Sequence, residues 1–514
     1  MNKTSIIWVL ISFVAYLAMM LVIGAKFMKK NKSSEDYFLG GRNLGGWVAA
    51  LSAQASDMSG WLLMGLPGAI YAGGTGQAWI AVGLFIGTVL NWIFVSSRLR
   101  RYTIKAKNSL TLPEYFQNRF HDKTKILITI SSVIIVIFFL VYTASALAAG
   151  GKLFTVVFGI DYKIALTIGA VVILAYTFMG GFMAVCVTDF IQGFLMITAL
   201  MIIPFVSFII IGGTDNVVQL LGDSGVTGGA SSFLNIMQSD GKNLGFIDII
   251  SQIGWGLGYC GMPHILTRFM AIRSETELKK SRVIAIVWVA ISLIFASIIG
   301  ILGRAYLYPT ILGGIGESST ENVFIEMIKK LFMGDFTLPF IGGIFLCGIL
   351  AAIMSTADSQ LLVTASSVSQ DLYKGVIKKD ASEKKVLLVS RITVMVIAII
   401  AYIIALNPDS SIMGLVSNAW AGFGAAFGPT VILSLYWKRS NLPGAAASMI
   451  SGGLTVLVWE YIPIISGQTL SAATGLYSLI VGFAIATVMM IVVSLLTKEP
   501  SEEMMREFDE AVGK

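Results

Sequence analysis

The sequence predicts an all-α membrane protein of about thirteen transmembrane helices, with its N-terminus outside and its C-terminus inside. Three observations carry this. Hydrophobic residues make up 56% of the 514-residue chain and charged residues only 13%, with a mean hydropathy of +0.82, far above that of a water-soluble domain. Apolar runs of helix-spanning length recur along the whole chain between short polar breaks. When those breaks are assigned alternately to the two sides, only Lys3, Lys152, Lys163, Lys242, Arg304, Lys329 and Lys330 of the 36 lysines and arginines fall outside.

The first run, from Ser5 to Ala25, resembles a signal peptide in length, but its cations (Lys26, Lys29, Lys30 and Lys32) follow the run and no small-residue cleavage site separates them. It reads as a retained first span at about 5–27. Further spans are expected at about 44–70, 77–97, 126–149, 163–186, 190–212, 247–270, 283–307, 338–369, 387–406, 411–437, 442–463 and 474–496. Two long connections, about 213–246 and 308–337, are rich in Gly, Ser and Asp, and read as loops or short surface helices able to act as lids. The acidic segment after Leu496 (Glu502, Glu503, Glu507, Asp509 and Glu510) reads as a solvated cytoplasmic helix.

Two of these spans break the rules of an ordinary membrane helix. The second holds Ser52 to Gly60, with Asp57 near mid-membrane and Gly65 and Pro67 following. The seventh holds Gly254, Gly256, Gly258, Gly261 and Pro263 within ten residues. Interrupted spans in corresponding positions of two halves point to inverted repeats with a binding site between them. Spans two to six (44–212) and seven to eleven (247–437) then form two five-helix units, each opened by a broken helix. Residues 1–43 form the first span and a loop, 213–246 an extracellular loop, and 438–514 two peripheral spans and the tail. Unwinding frees backbone carbonyls for a cation and leaves half-helix ends that carry about half a charge each.

An aspartate at the centre of a span costs on the order of 3 kcal/mol on insertion scales, so Asp57 is the leading functional candidate. As a carboxylate it can hold sodium, pair with a substrate ammonium group or carry a proton; the residues alone leave all three open. Sodium takes oxygen ligands, and Ser56 and Ser59 lie beside it. In the ninth span Ala352, Ser355, Thr356 and Ser359 share one helical face, with Asp358 beside it. Hydroxyls at such positions also serve plain helix packing, and Asp358 shifts the reading toward an ion path. Tyr142, Trp255 and Tyr259 can wall a substrate, the last two on one face wherever that segment is α-helical.

Other classes of function fit poorly. Cys186, Cys260 and Cys347 show neither paired nor metal-ligand spacing and read as packing residues, and the two histidines, His121 and His264, lie far apart. No nucleophile-base or metal constellation of an enzyme is present. The net charge of +7 matches cytoplasmic loops facing anionic lipid and implies no nucleic-acid partner.

Several runs together resemble the sodium:solute symporter family: Ala53 to Trp61, Trp255 to Tyr259, Ala351 to Thr356, Ala419 to Pro429, Gly40 to Arg42 and Leu110 to Tyr115. The likeness covers nearly the whole chain. It implies a leucine-transporter-type inverted-repeat core, alternating access, a bacterial inner-membrane location and no cofactor, with sodium as coupling ion and L-proline as the expected solute. Another amino acid, a sugar, pantothenate or urea, driven by sodium or protons, is the alternative. By the resemblance, sodium is bound by Ala55, Met58, Ala352, Ser355 and Thr356; Asp57, Ser59 and Gly60 couple it; Tyr142, Trp255, Tyr259 and Pro263 line the solute pocket. Asp189, Asp358 and Ser359 mark a possible second ion path, although Asp358 departs from the serine expected there.

Overall fold

The alternation of long apolar runs and short polar breaks folds into helices joined by tight connections. The computed structural model describes residues 2–28, 34–177, 181–313, 319–465 and 467–513, so Lys29, Lys30 and Lys32 lie outside the described residues. Among these residues, ten helices are long and apolar enough to cross a membrane. Three further helical stretches fall where spans are expected: an interrupted one over 46–73, the shorter Tyr162–Thr177, and an interrupted one over 246–271. Several helices carry proline in the first turn, where its missing N–H has no helical partner to lose: Pro113, Pro263 and Pro339. β-structure among the described residues is confined to two small hairpins, Gln238–Ser239 with Lys242–Asn243 and Pro463–Ile465 with Gln468–Thr469.

Helix ends differ from the expected ones where polar residues extend a helix beyond its apolar run. The helix expected to begin near 283 begins at Glu275, because Ser274 caps it by accepting from the Glu277 N–H at 3.2 Å. Gly181 is extended and opens the Phe182–Ile211 helix, so Asp189 sits inside this helix and not ahead of a span starting at 190.

The centre is formed by Pro339–Ser366 and Ile412–Tyr436, whose membrane-crossing windows are 83% buried, against 28% for the peripheral Lys3–Lys26 and Ser478–Leu496. Gly46–Asp57 is wedged among Phe182–Ile211, Glu275–Leu307, Pro263–Ala271 and Pro339–Ser366. The two halves of the chain are stitched at one end, where the Leu44 N–H donates to Ala271 and its carbonyl accepts from the Arg273 N–H, both at 3.1 Å.

The acidic tail departs from the expected solvated helix. Glu502–Val512 is helical but docked, with Met504, Phe508 and Ala511 buried. Phe508 lies 6.2 Å from Tyr102 between ring centroids, and Glu507 and Asp509 reach His121 and Lys438. The charge run hid a period-3.6 apolar stripe. Exposed ion pairs contribute about 0–1 kcal/mol each, whereas burying a phenylalanine contributes about 1.5–3 kcal/mol. Phe508→Ala is therefore expected to free the tail to limited proteolysis, and Glu510→Ala, which removes only the exposed pair with Lys105, to leave it protected.

Candidate functional site

The first interruption follows from the residues after Gly46–Asp57. Met58 leaves the helical region (φ −80°, ψ 75°), the Ser59 N–H turns back to the Asp57 carbonyl at 2.9 Å, and the chain rewinds from Trp61 through a wide turn into Leu66–Gly73. Gly60 sits where a Cβ would come within 2.9 Å of the Ala149 Cβ, so the broken segment presses directly on the Ile126–Phe158 helix. The second interruption is Gly254–Gly261, wound as tight 3₁₀ turns, after which Met262 is extended and Pro263 restarts the helix.

The two interruptions meet. Tyr259 Oη donates to Asp57 Oδ2 at 2.8 Å, while Asp57 Oδ1 is buried with no hydrogen-bond partner among the described residues. Trp61 Nε1 donates to the Asp57 carbonyl at 3.0 Å, and Tyr142 Oη approaches the same oxygen at 3.5 Å. Tyr259 is held from behind: Trp420 meets its ring edge-on at 5.0 Å, and Asn91 Nδ2 donates to its carbonyl at 3.1 Å. Trp255 does not join it. In 3₁₀ winding residues three apart eclipse, so a spacing of four turns Trp255 to another face, where it stacks on Tyr477 at 5.3 Å and accepts from Trp420 Nε1 through its carbonyl. The expectation that Trp255 and Tyr259 share a face holds only for α-helical winding and fails here. Pro263 opens the helix that carries His264, whose two ring nitrogens are buried without partners among the described residues and whose ring lies edge-on to Phe139 and Tyr142, at 5.6 Å and 6.4 Å.

On the Pro339–Ser366 helix, Ser355 Oγ donates to the Ala55 carbonyl at 2.7 Å and lies 3.2 Å from the Ala352 carbonyl, while Thr356 Oγ1 is buried without a partner among the described residues. Four of the five groups expected to bind a cation are thereby gathered on facing backbones of two helices, and Met58 lies at the break between Ala55 and Ser59. Ser59 is buried and its hydroxyl accepts the Trp61 N–H at 3.4 Å. Neutral carbonyl and hydroxyl oxygens with one carboxylate nearby suit a monovalent hard cation. Among the described residues no group of three His, Cys, Asp or Glu side chains is placed to hold a transition metal.

One participant was missed from the sequence. Arg268, near the end of the span expected at about 247–270 and not singled out there, is buried, and its Nη2 reaches Asp189 Oδ2 at 3.1 Å and Ser359 Oγ at 2.6 Å. Its Nε donates to Ser52 Oγ at 3.1 Å, which itself donates to Asp189 at 2.7 Å. Asp358 is buried one residue before Ser359. Applying to arginine the intramembrane-charge rule used for Asp57 would have flagged it. Removing one partner of a buried pair costs about 3–5 kcal/mol because the other charge is stranded. Arg268→Ala is thus expected to lower the melting temperature strongly, and Arg268→Ala with Asp189→Asn to recover part of the loss, as read by thermal unfolding in detergent.

A second buried pair closes the far end of the Ile126–Phe158 helix. Lys152 Nζ meets Glu321 Oε2 at 2.7 Å and the Ser410 carbonyl at 2.9 Å, and Glu321 Oε1 accepts from Ser411 and Met413. Beside it lies a cavity of about 290 Å³ bordered by Gly65, Ala69 and Asp409.

Comparison with known proteins places this geometry. Residues 37–452 match the model of the sodium:solute symporter family. The sodium/proline symporter of Escherichia coli K12 is 45% identical over 504 residues, spanning 98% of this chain and 96% of that protein. The osmoregulated proline transporter of Bacillus subtilis is 44% identical over 500 residues, 97% of each. Among solved structures, a substrate-bound, outward-open sodium-coupled sialic acid symporter superposes with a TM-score of 0.74 at 20% identity, covering 96% of this chain and 98% of that one; this likeness speaks to the fold.

Proposed function

The chain belongs to the sodium:solute symporter family, and from that premise we propose that it imports L-proline by coupling it to inward sodium flow. The observation that carries the reading is the contact between the two broken helices, Tyr259 to Asp57, one short segment away from the Ser355–Ala55 bond. We assign sodium to the carbonyls of Ala55, Met58 and Ala352 and the hydroxyls of Ser355 and Thr356. The unpartnered Thr356 Oγ1 supports this assignment, since a buried hydroxyl without a partner is costly unless something else meets it. Asp57, with Ser59 and Gly60, links that site to a proline pocket bordered by Tyr142, Tyr259 and Pro263. The share of Trp255 in the pocket rests on the resemblance, because its ring faces Tyr477.

In this mechanism sodium arrives first and ties the first broken helix to Pro339–Ser366. Asp57, which is not among the assigned sodium ligands, keeps its charge, and its Oδ1 meets the ammonium of proline. Loading both favours passage from an outward to an inward state, with Lys152–Glu321 acting as the outer gate. The guanidinium of Arg268 already neutralises Asp189 beside Ser359, so the reading assigns one sodium per cycle and no second ion along Asp189, Asp358 and Ser359. One sodium crossing about 100 mV supplies roughly 2.3 kcal/mol, and a tenfold gradient about 1.4, enough for several-hundredfold accumulation. The architecture we assign is thirteen spans in a leucine-transporter-type core, with repeats over 44–212 and 247–437, the N-terminus outside and the C-terminus inside a bacterial inner membrane.

Uptake of radiolabelled proline into proteoliposomes tests this directly. An inward sodium gradient is expected to drive accumulation, and potassium or a proton gradient alone is not. Proline left outside while another solute enters with sodium overturns the pocket assignment, and uptake driven only by protons overturns the ion site.

A further inference from the structure

Behind the second broken helix lies a groove of about 530 Å³ that the transport mechanism does not use. Its volume is within the range of ligand pockets, roughly 300–1,000 Å³. Almost all of its wall is apolar, contributed by Ile86, Leu90 and Phe94 on one side and Leu257, Cys260 and Phe483 on the others. These residues belong to the membrane-crossing part of the molecule, so whatever fills the groove comes from the bilayer. At one end it is bounded by Tyr436, whose hydroxyl donates to the Phe94 carbonyl at 2.8 Å.

Arg98 lies over that same tyrosine, its guanidinium carbon 3.9 Å from the ring centroid. Nη1 donates to the Leu435 carbonyl at 3.1 Å, and Nε and Nη2 meet no acceptor among the described residues. Its neighbours differ: Arg100 and Arg101 both reach Glu275, at 3.6 and 4.0 Å. A cation held over the tyrosine that bounds an apolar groove, with two donors that meet no acceptor and no ion-pair partner among the described residues, complements an amphiphile with an anionic head. We propose that the groove and Arg98 form a binding site for an anionic phospholipid, with one acyl chain in the groove and the phosphate on Arg98. In the orientation assigned above this is the cytoplasmic leaflet.

The position gives such a lipid a consequence. Gly83 and Gly87 touch the unwound segment backbone to backbone; a Cβ on Gly87 would lie 2.2 Å from the Gly256 carbonyl oxygen. An acyl chain on Leu257 and Cys260 therefore packs against the back of the segment that presents Tyr259 to Asp57. Occupancy holds that segment in the conformation seen here, so the lipid tunes how readily the site forms.

Native mass spectrometry of the full-length protein, purified from vesicles of phosphatidylcholine with added phosphatidylglycerol, reads the retained lipid. Wild type is expected to keep phosphatidylglycerol in preference to phosphatidylcholine, and Arg98→Gln to keep about fivefold less, the factor expected for one arginine at a membrane surface. Ile86→Trp, which fills the groove and leaves Arg98 in place, is expected to lose it too, while Arg101→Gln is expected to match wild type. Equal retention by wild type, Arg98→Gln and Ile86→Trp overturns the site, as does equal retention of the neutral lipid. A loss in Arg101→Gln as large as in Arg98→Gln overturns it in favour of diffuse surface charge.

Discussion

Asp57→Ala is expected to lower sodium-driven proline uptake by roughly a hundredfold or more while the protein still inserts and folds. Removing one charged partner from a buried polar contact costs about 2–5 kcal/mol, and each 1.4 kcal/mol is tenfold. Here the loss is felt in transport and not in folding, because among the described residues the only side chain bonded to the carboxylate is Tyr259, and Oδ1 has no partner there to abandon. Asp57→Asn preserves the shape and removes the charge, so it is expected to fail nearly as badly if the carboxylate meets sodium's field and the ammonium. Tyr259→Phe removes one hydrogen bond to a charged group, about 1.5–3 kcal/mol, and is expected to weaken proline affinity by ten- to a hundredfold. Concentration dependence of initial uptake in proteoliposomes, with expression followed by immunoblot, separates these outcomes. Uptake by Asp57→Ala within a few-fold of wild type defeats the assignment.

Thr356→Val is expected to raise the sodium concentration for half-maximal uptake by about tenfold or more while leaving thermal stability unchanged or higher. Thr356 Oγ1 is buried without a partner, so replacing it with a methyl group of the same shape removes a desolvation cost of about 1–3 kcal/mol and breaks no protein contact. The cation, by contrast, loses one of its proposed ligands. Ser355→Ala is expected to behave differently, because its hydroxyl bonds the Ala55 carbonyl at 2.7 Å; it raises the sodium requirement and also costs about 1 kcal/mol of stability. A sodium titration beside a melting curve reads both axes. If Thr356→Val destabilises the protein and leaves sodium dependence intact, the threonine is a packing residue.

The parts of this molecule legible in the sequence are those where membrane physics forbids an innocent explanation. A carboxylate at Asp57 and glycines from Gly254 to Gly261 cannot be ordinary span residues, and both mark real interruptions. Ser355 and Thr356 were legible because an α-helix repeats its faces at three and four residues, and Pro339–Ser366 is continuous. Tyr259 stands out in the sequence as a candidate wall residue, but its hydrogen bond to Asp57 spans 202 positions, and nothing local specifies it. The placing of Trp255 failed because face arguments assume 3.6 residues per turn, whereas the glycine-rich segment, with Gly254, Gly256 and Gly258 at alternate positions and Gly261 at its end, winds more tightly. Arg268 carries no local mark of its role, since its compensation by Asp189 and Ser359 comes from other helices. The docked tail was hidden for a related reason: a run of acids masks an apolar stripe that is visible only once Tyr102 is known to lie opposite.

The most direct test of the central claim is equilibrium binding of radiolabelled proline to the purified protein in detergent, where no gradient or potential exists, titrated with sodium at constant ionic strength using potassium. The account predicts that proline binds with sodium, binds negligibly in potassium alone, and that Thr356→Val shifts the sodium midpoint upward without changing the number of proline sites. Proline binding that is equally tight in potassium and sodium contradicts it, because the ion assigned to Ala55, Ser355 and Thr356 then has no thermodynamic link to the pocket at Asp57 and Tyr259.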